Sequence, residues 1–134
     1  MRLNYFVDGK THTVEKASKQ QIFEVIAKIA SDTIHHVHIF FDIGSLSIIG
    51  GHSERLAIIA NNIQTNGNII TGLLTDPNVS DYDIKMDFLD EDGYPNNNFQ
   101  LYQTVPKEKG FKVIRHFLVE EEMPSEALWT KRYR

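Results

Sequence analysis

The chain contains no cysteine among its 134 residues. This absence excludes disulfide bonds, thiolate nucleophiles and cysteine-ligated zinc, and it fits a reducing compartment. No uninterrupted apolar run approaches the roughly 20 residues that a membrane-spanning helix needs. The first residues, Met1 to Asp8, also lack the apolar stretch of a signal peptide. We therefore expect a cytoplasmic protein that does not associate with membranes.

Sequence signatures of common enzyme classes are also missing. The chain has no G-x-x-x-x-G-K-[ST] phosphate loop and no G-x-S-x-G motif, and Gly50-Gly51 is too short for a dinucleotide fingerprint. His52-Ser53-Glu54 matches the H-x-E element of zinc deaminases, but those enzymes also need a P-C-x-x-C segment. We therefore expect no enzyme activity, no catalytic residues and no cofactor. Hydrolysis by a pair of carboxylates is the alternative.

Two histidines invite the hypothesis of a metal site. In His35-His36-Val37-His38, the side chains of His36 and His38 share one face of a predicted strand. No acidic residue or further histidine stands at a diagnostic spacing as a third ligand. We interpret the segment as a polar strand edge and expect no bound metal.

Length and composition favour a single domain over residues 1–134. Apolar residues make up 41% and charged residues 24%, which is ordinary for a globular protein with one core. The net charge of −4 is unevenly placed. Residues 1–74 hold six acids and six bases, whereas residues 75–134 hold twelve acids and eight bases. This acidic excess argues against nucleic-acid binding and is compatible with a basic protein partner.

The order of the patterns predicts an α+β domain with a largely antiparallel sheet and two main helices. Asp8-Gly9 predicts a hairpin between residues 3–7 and 11–14. The first helix is predicted at about 19–30, with Ser18 and Gln21 as a capping box. The second is predicted at about 106–118, with an irregular start because of Gly110. Further strands are predicted at residues 34–43, 46–50, 55–60, 68–74, 82–88, 99–104 and 127–131.

Two groups of acidic residues have no evident structural purpose. Residues 82–88 alternate as a strand, which predicts one apolar face, including Tyr82 and Ile84, and one acidic face. Three glutamates follow the second helix, where they oppose its macrodipole. Solvation alone is the alternative to binding, and tyrosines nearby (Tyr82, Tyr94 and Tyr102) could anchor a partner. The predicted binding residues are Asp81, Asp83, Asp87, Asp90, Glu91, Asp92, Tyr94, Glu120, Glu121 and Glu122.

Residues 102–129 resemble the end of the first-numbered family of bacterial polymorphic-toxin immunity proteins, which includes partners of contact-dependent growth inhibition toxins. Strands punctuated by glycine at 44–77, with Asp76-Pro77 after a strand, are similar in outline. The chain differs in carrying Glu120-Glu121-Glu122 where family members often have a small or glycine-containing turn. The hydrophobic anchors that carry the resemblance are Val105, Phe117, Leu118, Pro124 and Trp129.

The resemblance implies a stoichiometric inhibitor that binds a cognate toxin domain and blocks its active site. Such toxins include nucleases and nucleic-acid deaminases, whose substrate grooves are basic. It also implies that the anchors form the core and that the toxin-facing surface varies among members. Concentrated carboxylates fit a basic groove, because complementary charge speeds encounter and enforces specificity. The competing hypotheses are a carboxylate-dependent hydrolase and an adaptor that binds a protein other than a toxin.

Overall fold

The structure is a computed structural model that describes residues 1–7, 9–31, 33–65, 67–90, 94–95, 97–124, 127 and 129–131. Within these residues the chain forms ten β-strands, two α-helices and one short 3-10 helix. The strands are β1 (Arg2–Val7), β2 (Lys10–Val14), β3 (His36–Phe41), β4 (Gly44–Ile49), β5 (Arg55–Thr65), β6 (Asn68–Leu74), β7 (Lys85–Phe88), β8 (Asn97–Gln100), β9 (Val105–Pro106) and β10 (Trp129–Lys131). The helices are α1 (Lys19–Ala30), the 3-10 helix (Leu101–Gln103) and α2 (Lys107–Glu120). The α+β class predicted from the sequence is confirmed.

The main sheet is antiparallel throughout. Its strands lie in the order β10-β6-β5-β4-β3-β1-β2, and β9 pairs with the start of β5. Strands β7 and β8 form a separate antiparallel hairpin, which we call the β7–β8 hairpin. The predicted hairpin of β1 and β2 is present, with Val7 opposite Lys10. Of its turn residues, Asp8 lies outside the described residues, as does Asn66 between β5 and β6.

Both helices pack on one face of the main sheet. Leu56 and Ile58 of β5 belong to the main core, together with apolar residues of α1 and α2. The alternate residues Ala57 and Ile59 point to the opposite face, as the pleat of a strand requires. There they contact the β7–β8 hairpin in a second, smaller core that includes Phe88. The sheet is therefore sandwiched between two helices and a short hairpin.

Helix α1 has the predicted bounds and the predicted N-terminal cap. The Ser18 Oγ accepts the backbone N–H of Gln21 at 3.2 Å, and the Gln21 Oε1 accepts the backbone N–H of Ser18 at 2.8 Å. These bonds satisfy donors that the first helical turn leaves unpaired. The buried stripe has the spacing of one helical face and consists of Ile22, Val25, Ile26 and Ile29.

Helix α2 begins after Pro106 and is regular, so the prediction of an irregular start was wrong. Gly110 is buried in the helix because β5 passes close to it. A methyl group at this position would lie 3.0 Å from the Leu56 Cδ1 and 3.3 Å from the Ile58 Cδ1. The glycine thus lets the helix lie close to the sheet, and its cost in helix propensity of about 1 kcal/mol accompanies that close packing.

Strand β5 extends beyond the predicted 55–60, because its pairing with β6 resumes after a bulge. The register between β5 and β6 shifts between Ala60 and Ile63. Asn62, inside the bulge, has a left-handed φ of 55° and donates its backbone N–H to the Thr71 Oγ1 at 3.2 Å. Asparagine tolerates this conformation better than most residues. The bulge allows pairing to continue to Thr65.

Candidate protein-binding surface

The β7–β8 hairpin fixes the acidic part of the chain on the sheet face opposite the helices. Phe88 is fully buried against Ile49 and Ala57. At the end of β7, Leu89 donates its backbone N–H to the Gly51 carbonyl at 3.3 Å. A Cβ on Gly51 would lie only 2.9 Å from atoms of Leu89, and the φ of Gly51 is 87°. The Gly50-Gly51 turn therefore serves close packing of the hairpin.

Residues 81–85, at the start of the hairpin, are all exposed, and we call them the acidic stretch. Here the predicted alternation is wrong, because β7 begins only at Lys85. The Asp81 Oδ1 accepts the backbone N–H of Asp83 at 3.0 Å, a local turn that competes with strand pairing. Tyr82 is 61% exposed and Ile84 is 43% exposed, so neither is part of an apolar face.

Three of the predicted binding carboxylates lie on this surface. Asp81 and Asp83 are exposed in the acidic stretch, and Asp87 is exposed on the outer side of β7, opposite Asn98 of β8. They do not project from one continuous strand as predicted, because residues 81–83 belong to the turn. Lys85 is an exposed base among them, so the local charge is still negative.

The turn after β7 uses one carboxylate to close a loop. The Asp90 Oδ1 accepts the backbone N–H of Tyr94 at 2.9 Å, and the Asp90 N–H donates to the Tyr94 carbonyl at 2.7 Å. Asp90 is therefore a structural residue of the loop. Tyr94 is 63% exposed beside it. The predicted residues Glu91 and Asp92 lie outside the described residues.

A buried ion pair supports the base of the hairpin, and no sequence pattern indicated it. The Arg55 Nη2 donates to the Asp76 Oδ2 at 2.7 Å and to the Thr104 carbonyl at 2.8 Å. The Arg55 Nε donates to the Thr104 Oγ1 at 2.7 Å. Asp76 also accepts the backbone N–H of Asn78 at 3.0 Å, and Asp76 is 5% exposed. Asp76 therefore does not contribute to an acidic surface.

The pKa of Asp76 reflects opposing causes. Burial raises the pKa, but the hydrogen bond from Arg55, the hydrogen bond from the Asn78 backbone and the positive charge of Arg55 outweigh it. The net result is a pKa below the ordinary value of 3.8. The carboxylate is thus held in its charged form by partners that exist only in the folded chain.

The three glutamates after α2 lie away from the hairpin. Glu120 is exposed in the last turn of α2, and Glu121 caps the helix in a left-handed conformation with φ of 58°. Helix α2 starts beside Glu54, just before β5, and its fourteen residues span about 21 Å. At its far end, Glu121 borders a cleft with Gln64 and Thr65 from the end of β5. Glu122 is half-buried. The two acidic groups therefore lie on opposite faces and at opposite ends of the sheet.

The hydrophobic anchors of the family resemblance are placed in or beside the main core. Val105, Phe117 and Leu118 are at most 2% exposed, and Pro124 is buried. Trp129 is half-buried and packs against the main core from β10, where it lies opposite Leu74 of β6. Phe117 contacts Phe41 edge to face at a centroid distance of 4.6 Å. The structure thus places these residues in packing positions.

The histidines of β3 lie on one sheet face, as predicted. The rings of His36 and His38 are 6.2 Å apart, and the His38 Nδ1 lies 2.8 Å from the Ser47 Oγ. In the part of the chain that the structure describes, no group of three histidine, aspartate or glutamate side chains is placed to hold a metal ion. Across the same described residues, no helix combines the length and the apolar character needed to cross a membrane.

In comparisons with known proteins, the chain matches no protein-family model, no curated protein and no solved structure. The resemblance to immunity proteins therefore stays a prediction that rests on the residues quoted for it.

Proposed function

We propose that this protein is a cytoplasmic immunity protein that binds a basic toxin domain, blocks its active site and catalyses no reaction. The observation that carries the proposal is the joint exposure of carboxylates and large hydrophobic side chains on and beside the β7–β8 hairpin. Asp81, Asp83 and Asp87 are exposed there. Tyr82, just before the base of the hairpin, and Tyr94, in the turn at its far end, are exposed by 61% and 63%.

Exposed charge alone is explained by solvation. Of the six large hydrophobic residues that the described part of the chain exposes, however, three (Tyr82, Ile84 and Tyr94) lie on or beside this one hairpin. Large hydrophobic side chains that remain in water give up the stabilisation that burial would provide, roughly 25 cal/mol per Å² of apolar area. Tyrosine is also enriched among the residues that carry most of the energy of protein interfaces. The ring of Tyr82 contacts Tyr102 edge to face at 4.8 Å, so its position is partly fixed before any partner binds. These features favour recognition of a protein.

The carboxylates favour a basic partner. At an ionic strength of 0.15 M the Debye length is about 8 Å, so several charges on one small hairpin act together on an approaching surface. Complementary charge of this kind raises the association rate and adds specificity more than it raises affinity. A groove that binds nucleic acid is basic for the same reason that it binds phosphate. Such a groove would be attracted to the hairpin.

The hairpin is also held rigidly at both ends. Arg55 holds its base through Asp76 and Thr104, and Phe88 holds its far end against the sheet. A surface fixed in this way loses less conformational entropy on binding than a flexible loop would lose. This rigidity supports the role of a stoichiometric inhibitor, for which tight binding is the whole activity.

The proposal is tested by measuring association rates with the C-terminal domain of the protein encoded by the adjacent open reading frame, purified with its candidate catalytic residues replaced. The test variant is Asp81→Asn, Asp83→Asn and Asp87→Asn combined, since asparagine can keep the local turn at position 81. The matched control neutralises three exposed acids elsewhere: Glu15→Gln, Glu24→Gln and Asp42→Asn. A second arm neutralises Glu120, Glu121 and Glu122 to glutamine.

We expect the hairpin variant to associate more slowly at low salt, to depend less on ionic strength and to keep nearly the same dissociation rate. The control should associate at close to the wild-type rate at every salt concentration. Slower association by the variant of Glu120, Glu121 and Glu122 alone would place the interface at the end of α2 instead of at the hairpin. No binding by the wild-type protein to this domain would refute the proposal and favour an adaptor for another protein.

A further inference from the structure

Strand β2 forms one edge of the main sheet. In the part of the chain that the structure describes, it pairs only with β1, so the other side of its backbone faces no strand. Val7 pairs with Lys10 across a two-residue turn, and hydrogen-bonded pairs alternate along the antiparallel ladder from that pair onward. The backbone N–H and C=O groups of Lys10 and of every second residue after it therefore point to β1. Those of Thr11 and Thr13 point away from β1, and we call this outer side of residues 10–14 the β2 edge.

The β2 edge lacks the features that usually keep a strand edge from pairing. Natural edges are blunted by bulges, prolines, charged side chains or short strands. Strand β2 pairs with β1 over five residues without a register shift, and Lys10, beside the turn, is its only charged residue. Residues 10–13 are exposed. The strand at the opposite end of the sheet, β10, has three residues. The β2 edge is therefore a template that another strand can extend.

The backbone groups of the β2 edge are complementary to those of a second copy. Thr11-His12-Thr13 reads the same in both directions. An antiparallel copy centred on His12 therefore sets Thr11 of each chain opposite Thr13 of the other. Both members of such a pair point their backbone groups into the junction, so each pair exchanges two N–H···O=C bonds. A shift of the register by two residues either way would bring a turn residue, Gly9 or Glu15, into the pairing instead.

The side chains of β2 also match in the centred register. Lys10 lies opposite Val14, so no two like charges are opposed, and threonine pairs directly opposite each other are favourable. The ring of His12 is stacked on Tyr5 with a centroid distance of 5.2 Å and an interplanar angle of 12°. Pairing would set the two His12 rings side by side, in one row with the two Tyr5 rings. The residues of β2 thus favour a second β2 as the strand that covers this edge.

We propose that the β2 edge joins two copies of this chain into a dimer with one continuous antiparallel sheet. A two-fold axis beside His12 relates the copies, as an interface between identical surfaces requires. The inference is independent of the proposed function. The β7–β8 hairpin packs on β4 and β5, at least three strands from β2, or roughly 14 Å at the usual strand spacing. Both hairpins would stay accessible and, because the axis is perpendicular to the sheet, would lie on the same face of the dimer.

The test variant is Thr13→Pro. Proline has no backbone N–H, but the N–H of residue 13 points outward, so β2 keeps its hydrogen bonds to β1 and loses only those of the dimer. The matched control is Thr13→Val, which keeps the N–H and the branched shape. Sedimentation velocity over a range of protein concentrations gives the dimer Kd of each variant. Hydrogen exchange followed by NMR gives the protection of the Thr11 and Thr13 amides.

We expect wild type and Thr13→Val to dimerise with a Kd below about 1 mM. Thr13→Pro should raise the Kd by about 10-fold or more, because the two-fold axis removes one hydrogen-bond donor from each copy. The Thr11 and Thr13 amides of the wild type should gain protection as the protein concentration rises. Should Thr13→Pro fail to fold, exposed His12 supplies the second test. His12→Lys sets two like charges opposite each other and should raise the Kd, whereas the uncharged control His12→Gln should not.

Three results would overturn the inference. The first is a wild-type monomer at every concentration up to about 1 mM. The second is a dimer that persists in Thr13→Pro and His12→Lys while the Thr11 and Thr13 amides stay unprotected, which would assign the contact to another surface, such as the groove between α1 and α2. The third is protection of the two amides that depends on the domain encoded by the adjacent open reading frame and not on protein concentration, which would assign the β2 edge to a strand of that protein.

Discussion

Replacing Asp76 with asparagine should destabilise the fold more than any substitution of a surface charge. The Asp76 carboxylate lies 2.7 Å from the Arg55 guanidinium, and the two side chains are 4% and 15% exposed. Asparagine has nearly the same shape but no charge, so the variant leaves the arginine buried beside a neutral group. Arg55 would keep its two hydrogen bonds to Thr104, which contribute less than the charge pair.

The expected cost follows from the burial of the pair. Removing one partner of a buried ion pair typically costs about 3–5 kcal/mol, because the other charge is left uncompensated. For a domain whose total stability is about 5–15 kcal/mol, this is a large fraction. A chain of this size should lose about 10 °C or more in Tm. The matched control is Lys112→Gln, which breaks an ion pair with Glu108 whose side chains are 78% and 86% exposed. Exposed helix pairs of this spacing contribute only about 0.3–0.5 kcal/mol.

The destabilisation caused by Asp76→Asn should depend on pH. Because the pKa of Asp76 is lower in the folded chain than its ordinary value of 3.8, its contribution is fully present above that value. It is lost as the pH falls through the folded pKa. Urea denaturation at neutral pH and at a series of acidic pH values gives the difference between wild type and Asp76→Asn. The gap should be large at pH 7 and shrink in acid. A gap below about 1 kcal/mol at pH 7, or one that grows as the pH falls, would refute the role assigned to the pair.

Three further changes test the packing. Glu121→Gly should stabilise the fold by about 1 kcal/mol, because glycine adopts the left-handed φ of 58° without strain. The control Glu120→Gly, within the helix, should instead destabilise the fold by about 1 kcal/mol. Equal shifts in Tm for the two variants would contradict this. Gly110→Ala should destabilise the fold by about 1 kcal/mol in urea denaturation, because its methyl would lie 3.0 Å from the Leu56 Cδ1. A stabilised variant would mean that the side chains of β5 can shift to make room for the methyl group. Trp129→Ala should lower the free energy of unfolding by about 3 kcal/mol. Trp129→Phe should lower it by less than half as much, since the buried indole N–H has no hydrogen-bond partner among the described residues. Equal losses would mean that the indole N–H does make a hydrogen bond.

Local rules predicted the parts of the fold that depend on local geometry. The capping box of Ser18 and Gln21 fixed the start of α1, because the two hydrogen bonds involve residues three apart. The alternation at Tyr82 and Ile84 failed for a related reason. Its period is that of a strand. The residues that would pair with 82–84 are 101–103, however, and these form a 3-10 helix, which offers no hydrogen-bond ladder to a strand. Periodicity indicates a strand only where a partner strand exists.

The candidate surface could be predicted only in part, because it depends on which distant segments meet. The sequence identified the acids of the hairpin and the three glutamates after α2 as equal candidates. The two acidic groups lie at opposite ends of the sheet only because α2 runs along β5, which the sequence does not reveal. The burial of Asp76 was missed because its partner Arg55 is twenty-one positions away and the residues between form a hairpin. The ring contact between Phe6 and His36 likewise requires the register of β1 on β3, which no local pattern encodes.

The buried pair and the proposed binding surface are linked through the backbone of the hairpin. Asp76 donates its backbone N–H to the Tyr102 carbonyl at 2.8 Å, and Tyr102 supports the exposed ring of Tyr82. The Arg55 network therefore joins the chain just before the acidic stretch to the chain just after β8. If that network fixes the surface, Asp76→Asn should weaken binding of the proposed toxin partner even at temperatures where the variant is fully folded, because more of the hairpin must be ordered on binding. Lys112→Gln should leave the affinity unchanged. Equal affinities for the two folded variants would mean that Phe88 and the sheet alone hold the hairpin in place.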